Sequence, residues 1–174
     1  NGVDYTAQSY PAYLQAMLDS YDPGAYKVIN AGVTGRTTAQ ALSVLQSEVI
    51  SKDPDVVIVC LGGNDVLGAA DPAAALTSLQ ANLENIISQI DNGKRQIYVA
   101  KFYNAYFAQY YLHNARKIDT TVITDLVNDM NGIFSDLVNA NLNTRELISD
   151  TWDGIYGASG PVTGMYDPDK DQMH

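Results

Sequence analysis

Two loop positions of this chain could supply hydrogen bonds to a negatively charged reaction intermediate. Gly35 follows the short segment 26–30, and Asn64 follows the uninterrupted apolar run 56–61. A glycine lets a ligand approach its backbone N–H closely, and an asparagine amide supplies a second donor. Two donors that converge on one point form an oxyanion hole, which stabilises the tetrahedral intermediates of acyl transfer. The alternative for Asn64 is a turn residue that caps the end of the strand.

A second pair of residues could move a proton. Asp171 lies three residues before His174 in the closing segment. An aspartate that accepts a hydrogen bond from a histidine can orient the imidazole as a general base. The spacing alone is weakly specific, and the alternative for His174 is a terminal residue without a role.

The elements that must position these residues alternate along the chain. Helices are predicted over residues 8–20, around Leu42, Leu45 and Val49, from Pro72 (capped by Asp71) to Ile90, and over 119–140. Strands are predicted at residues 26–30, 55–61, 97–102 and 147–148. The apolar run in the second of these indicates a strand buried on both faces. Such alternation predicts an α/β fold with a parallel sheet, which binds ligands at the carboxyl ends of its strands.

Length and composition limit the classes of function. The chain has 174 residues and no visible linker, so a single domain over residues 1–174 is expected. A net charge of −10 opposes nucleic acid and anionic membranes as partners. No apolar stretch approaches the ~20 residues of a membrane span. Cys60, the single cysteine, is expected to be a small buried apolar residue.

The motifs resemble those of a known family. Residues 30–35 (Asn-Ala-Gly-Val-Thr-Gly), 62–65 (Gly-Gly-Asn-Asp) and 171–174 (Asp-Gln-Met-His) look like three blocks of the SGNH (GDSL-type) hydrolases, in the family's order. The resemblance covers essentially the whole chain. It implies a three-layer α/β/α, flavodoxin-like fold and hydrolysis of lipid, thioester or carbohydrate acetyl esters.

By resemblance, each matched residue takes a role in that hydrolysis. Gly35 and Asn64 match the oxyanion-hole positions, while Gly62 and Asp65 belong to the supporting loop. We expect Asp65 to bond backbone groups of its own loop. His174 matches the general base and Asp171 the residue that orients it. No metal or cofactor is implied, and the expected partner is a small-molecule or carbohydrate ester.

The chain departs from the family pattern at its nucleophile. No Gly-Asp-Ser segment occurs in the sequence, and the resemblance places that block just before Asn1. We therefore expect a nucleophilic serine, a first strand and a final helix outside the 174 residues. Arg36 also stands where the family often has an acidic residue. Most of the serines that could replace it lie on predicted helix faces, and Ser159, in a glycine-rich segment, lacks the Gly-x-Ser-x-Gly surroundings of a nucleophile elbow.

Three other interpretations stay open at this point. A non-catalytic binding or structural module would keep the fold without the serine. A nucleotide-binding protein would need a phosphate-binding glycine motif, which the sequence lacks. Asp167, Asp169 and Asp171 resemble the start of a calcium loop, but the rest of that pattern is missing. Acidity, tyrosine content and the lack of functional cysteines favour an extracellular or cell-surface location.

Overall fold

The computed structural model describes residues 9–66, 69–101 and 119–147. The chain divides into two compact units, Asn1–Val33 and Thr34–His174. The first contains helix α1, Tyr10–Tyr21, which begins after Ser9 with a proline in its first turn, as predicted. No helix in the described ranges is long and apolar enough to cross a membrane. The expectation of a single domain stays a prediction.

The second unit contains the sheet and its crossover helices. Its elements are α2 (Thr38–Glu48), a short 3-10 helix (Ile50–Lys52), β1 (Val56–Val59), α3 (Gly63–Val66), α4 (Pro72–Ile90), β2 (Gln96–Ala100), α5 (Thr120–Ala140) and β3 (Thr144–Leu147). The described strands form one sheet in the order β1-β2-β3, and both pairings are parallel. The prediction of an α/β fold with a parallel sheet is therefore confirmed.

Among the described elements, helix α4 supplies the largest share of the core that supports this sheet. The Asp71 side chain caps it by accepting from the Ala74 N–H at 3.1 Å. Its predicted apolar stripe is buried at Leu79, Leu83, Ile86, Ile87 and Ile90. These side chains share one cluster with Ile97 and Val99 of β2 and Phe134 of α5. The stripe thus attaches the helix to the sheet along one face.

Two sequence predictions about strands were wrong. Residues 26–30 form no strand, because Tyr26 and Val28 bond the Gln15 side chain instead: its amide donates to the Tyr26 carbonyl and its oxygen accepts from the Val28 N–H. Strand β1 is not buried on both faces, since Val56 is exposed and only Val59 is buried. The prediction that Leu147 lies in a strand was right: β3 begins at residue 144 and includes Leu147, while Ile148 lies outside the described residues.

The partial exposure of β1 follows from its place in the sheet. In the described part of the chain it pairs only with β2, so one long side of the strand has no neighbour there. A strand at the edge of a sheet loses the cover that a central strand receives from both sides. The first strand implied by the resemblance stays a prediction.

A buried arginine joins the start of β1 to the end of α4. Arg95 is 4% exposed and donates to the carbonyls of Pro54 (2.6 Å) and Ile90 (2.7 Å). It also pairs with the exposed carboxylate of Asp53 at 3.1 Å. The guanidinium therefore satisfies backbone carbonyls at the point where the chain turns into the sheet.

We predict that Arg95→Met destabilises the protein by about 2–4 kcal/mol, because two carbonyls lose a charged donor that methionine cannot replace. Chemical denaturation measures the difference in unfolding free energy. Lys94→Met, at the exposed neighbouring position, is the matched control and should change stability by less than about 0.5 kcal/mol. Equal effects of the two substitutions would contradict the role assigned to Arg95.

Candidate active site

The structure brings together the two loops that carry the predicted donor residues. The first is the turn at Thr34 and Gly35, immediately before α2. Gly35 has φ +80°, a left-handed conformation that favours glycine. The second loop follows β1 and runs through Gly62 into α3. Both loops therefore lie near the carboxyl end of β1. Parallel sheets bind ligands at the carboxyl ends of their strands.

The Asn64 side chain spans the gap between these loops. Its amide nitrogen donates to the carbonyl of Arg36 across 3.4 Å, a long hydrogen bond. Arg36 follows Gly35 directly in the chain, so the two predicted donors are neighbours in space. Both Gly35 and Asn64 are exposed, and a ligand can reach them.

The carboxylate of Asp65 makes the strongest link between the loops. Both of its oxygens accept from the Thr38 backbone N–H, at 3.1 and 3.0 Å, and one also accepts from the Thr38 hydroxyl. The expectation that this side chain bonds its own loop was wrong, because Thr38 is 27 residues away. Within its own loop, Asp65 bonds through its backbone N–H, which donates to the Gly62 carbonyl at 3.1 Å.

Two residues of this arrangement were missed by the sequence reasoning. Thr38 is fully buried, and its hydroxyl also accepts from the Asn82 amide of α4 at 3.0 Å. The start of α2 at Thr38 does have a local signal, since Thr37 and Gln40 form a capping box. Asn82 has no such local sequence signal, because only the packing of α4 brings its side chain to Thr38.

Gly62 allows its loop to lie directly on the core. Its φ is +116°, and a Cβ at this position would lie 3.0 Å from Leu79 Cδ1 and 3.4 Å from Phe134 Cζ. Backbone conformation and space thus both require glycine here. The packing positions the segment that carries Asn64.

Arg36 does not leave an unpaired positive charge beside Gly35. Its guanidinium makes a two-pronged ion pair with Glu48 of α2, with N–O distances of 2.6 and 3.3 Å. By resemblance, an acidic residue is often found at the position of Arg36. In this chain the nearby carboxylate comes instead from Glu48, which contacts Arg36. Much of that arginine's charge is therefore compensated.

The remaining predicted site residues and the alternatives considered beside them divide into two groups. Asp171 and His174 lie outside the described residues, as do Asp167, Asp169, Ser149 and Ser159. Several other serines donate their hydroxyls to carbonyls of the preceding turn, namely Ser20, Ser43, Ser47, Ser51 and Ser78. Serines in helices commonly form such local bonds. A backbone carbonyl cannot act as the general base that would activate these hydroxyls.

Cys60 lies at the end of β1, just before the Gly62 loop. The residue is exposed, so the prediction that it is a buried apolar residue was wrong. Although part of the residue is exposed, the protein atoms around its thiol desolvate it and raise its pKa above the usual value for cysteine. Because only the thiolate is nucleophilic, Cys60 is a weak nucleophile near neutral pH.

Comparison with known proteins identifies related sequences. A model of the GDSL-like Lipase/Acylhydrolase family matches residues 1–160. Esterase TesA of Pseudomonas aeruginosa is 38% identical over 87 residues, which make up 49% of this chain and 39% of that esterase. The match therefore spans well under half of the curated relative's length.

One solved structure is also similar to this chain. The lipase/acylhydrolase from Enterococcus faecalis is 24% identical and superposes with a TM-score of 0.49. The match covers 77% of this chain and 65% of that one.

We predict that Gly62→Ala destabilises the protein by about 2–4 kcal/mol, because alanine adds left-handed backbone strain and a clash with Leu79. The control is Gly132→Ala within α5, where a Cβ meets no atom within 4 Å. That substitution should stabilise the helix by up to about 1 kcal/mol. Thermal or chemical denaturation measures both, and a neutral Gly62→Ala would disprove the packing requirement.

We predict that iodoacetamide alkylates Cys60 more slowly than it alkylates glutathione at pH 7–8. The raised pKa leaves a smaller fraction of thiolate at that pH, and the rate should increase to a midpoint at higher pH than that of glutathione. Mass spectrometry of the labelled protein between pH 6 and 11 gives this profile. A midpoint below that of glutathione would contradict the effect of burial.

Proposed function

The chain belongs to the GDSL-like lipase/acylhydrolase family, and from this membership we propose that it hydrolyses carboxylic esters through an acyl-enzyme intermediate. The observation that carries the proposal is the Asn64 amide, exposed at the end of β1 and bonded to the residue after Gly35. Two hydrogen-bond donor groups, the Gly35 N–H and the Asn64 amide, thus belong to exposed residues that this bond links. This is the chemistry that an oxyanion requires.

In the proposed mechanism the Asn64 amide has two tasks. An asparagine amide carries two N–H groups, and the bond to the Arg36 carbonyl engages one of them. That bond orients the amide, and its second N–H donates to the oxyanion together with the Gly35 N–H. Because these donors are held before the substrate arrives, they need not reorganise as negative charge develops.

The remaining steps involve residues outside the described part of the chain. A nucleophilic serine, which the resemblance predicts but which the 174 residues do not contain in a Gly-Asp-Ser segment, attacks the ester carbonyl, and His174, oriented by Asp171, accepts its proton. The same imidazole protonates the departing alcohol. Water, deprotonated by the histidine, then releases the acid and regenerates the serine.

The proposed substrate is a small-molecule or carbohydrate ester, with lipid, thioester and acetyl esters as the classes to compare. A net charge of −10 disfavours nucleic acid as a partner. An extracellular or cell-surface location is proposed from the acidity, the tyrosine content and the lack of functional cysteines. The acyl preference is measured with p-nitrophenyl esters of increasing chain length, alongside acyl thioesters and acetylated sugars.

We predict that Asn64→Ala lowers kcat for a p-nitrophenyl ester by about 10²–10³, because one oxyanion donor is lost. KM should change little, since the bond is made mainly in the transition state. Asn85→Ala, at an exposed position of α4, is the matched control and should leave both constants unchanged. An Asn64→Ala variant with wild-type kcat would exclude this residue from the oxyanion hole.

Labelling by a fluorophosphonate tests the covalent step in the protein expressed from its complete reading frame. We predict one modified serine in a Gly-Asp-Ser segment, identified by peptide mass spectrometry, and loss of esterase activity in proportion to labelling. Substitution of His174 by alanine should abolish the labelling, because the serine is then not activated. Absence of labelling in a folded, complete protein would favour the non-catalytic module.

A further inference from the structure

We propose that Thr38 and Asn82 are positioning residues of the oxyanion hole and act on it through Asp65. The inference rests on the proposed function and extends it to residues outside the family motifs. Neither side chain is assigned contact with the substrate. Their role is to hold the loop of Gly35 and the loop of Asn64 at a constant separation.

The first step of the argument is the position of the Asp65 carboxylate at the start of α2. It accepts from the Thr38 N–H, one of the N–H groups that have no partner within the helix. A negative charge at this end of a helix is also favoured by the helix dipole. Asp65 adjoins Asn64, and Thr38 is three residues after Gly35, so this bond connects the two donors over a short length of chain.

The second step is the burial of the Thr38 hydroxyl. Thr38 is 0% exposed, and its hydroxyl donates to Asp65 while it accepts from the Asn82 amide. The hydroxyl thus acts as a donor and as an acceptor, each time with a protein partner. A network of this kind around a buried hydroxyl restricts movement, because movement leaves a polar group unpaired.

The third step is the anchor of this network in the core. Asn82 lies on α4 beside Leu83, whose side chain is fully buried against the sheet. Leu79, one turn earlier on the same helix, is the residue that Gly62 packs against. Helix α4 therefore supports the Asn64 loop twice, by apolar packing under Gly62 and by the Asn82–Thr38–Asp65 chain of hydrogen bonds.

A role in positioning predicts a specific kinetic change. Thr38→Val keeps the shape of the side chain and the backbone bond to Asp65 but removes the hydroxyl. We expect kcat to fall by about tenfold, less than for direct loss of a donor, and KM to change by less than about threefold. Thr38→Ser retains the hydroxyl and should restore kcat to within about twofold of wild type.

The experiment measures these constants for a p-nitrophenyl ester in the complete protein. Asn82→Leu tests the second bond while the Thr38–Asp65 contact stays in place. Thr77→Val and Asn85→Leu are the controls, because both positions are exposed on α4 and their side chains bond only within that helix. NMR spectra of the Asn64 side-chain amide are recorded for every variant, and circular dichroism gives the folded fraction.

The expected result is a lowered kcat with altered Asn64 amide resonances in Thr38→Val and Asn82→Leu, and wild-type behaviour in Thr38→Ser and both controls. If the wild-type protein is active and Thr38→Val and Asn82→Leu retain its kcat, positioning is rejected while the proposed function stands. If activity falls only in proportion to the folded fraction, and equally in Thr38→Ser, the residues are merely structural. If the wild-type protein hydrolyses no ester, both proposals fail.

Discussion

The hydrogen bond from the Thr38 backbone N–H to the Asp65 carboxylate is the interaction on which this site depends. It places a negative charge at the positive end of α2 and satisfies an N–H group that the helix itself leaves unpaired. Because the partners are 27 residues apart, the bond also determines where two separate loops lie relative to each other. The exposed donors Gly35 and Asn64 are each within three residues of it. The turn at Gly35 and the start of α3 are thereby attached to one partly buried contact.

Helix α4 explains how exposed polar groups can be held by a rigid frame. Its apolar stripe packs on the sheet, Leu79 lies under Gly62, and Asn82 bonds the Thr38 hydroxyl. Core packing and polar positioning are thus two functions of neighbouring turns of one helix. A catalytic group needs this kind of support, since a small displacement of a donor weakens its bond to the transition state. Arg36, the residue after Gly35, is paired with Glu48 and so contributes little net positive charge.

Local pattern predicted the helices well and the strands less well. The stripe of α4, its Asp71 cap and the extent of α5 follow from residues close in sequence, and the structure has them as expected. Residues 26–30 were predicted as a strand, but strand formation requires a partner, and their backbone bonds Gln15 instead. The edge position of β1 and the early start of β3 likewise depend on which strands pair. Such pairings are not encoded in a window of a few residues.

The amino-acid sequence by itself determined the fold class and the family, and it supplied Gly35 and Asn64 as the proposed donor residues, because apolar periodicity and short motifs are local properties. Only the tertiary structure decided what holds those donors. The bond from Thr38 to Asp65, the support from Asn82 and the pairing of Arg36 with Glu48 all join residues at least 12 positions apart. Side chains so distant in the chain are brought together by the packing of helices and strands, and a motif cannot record that packing.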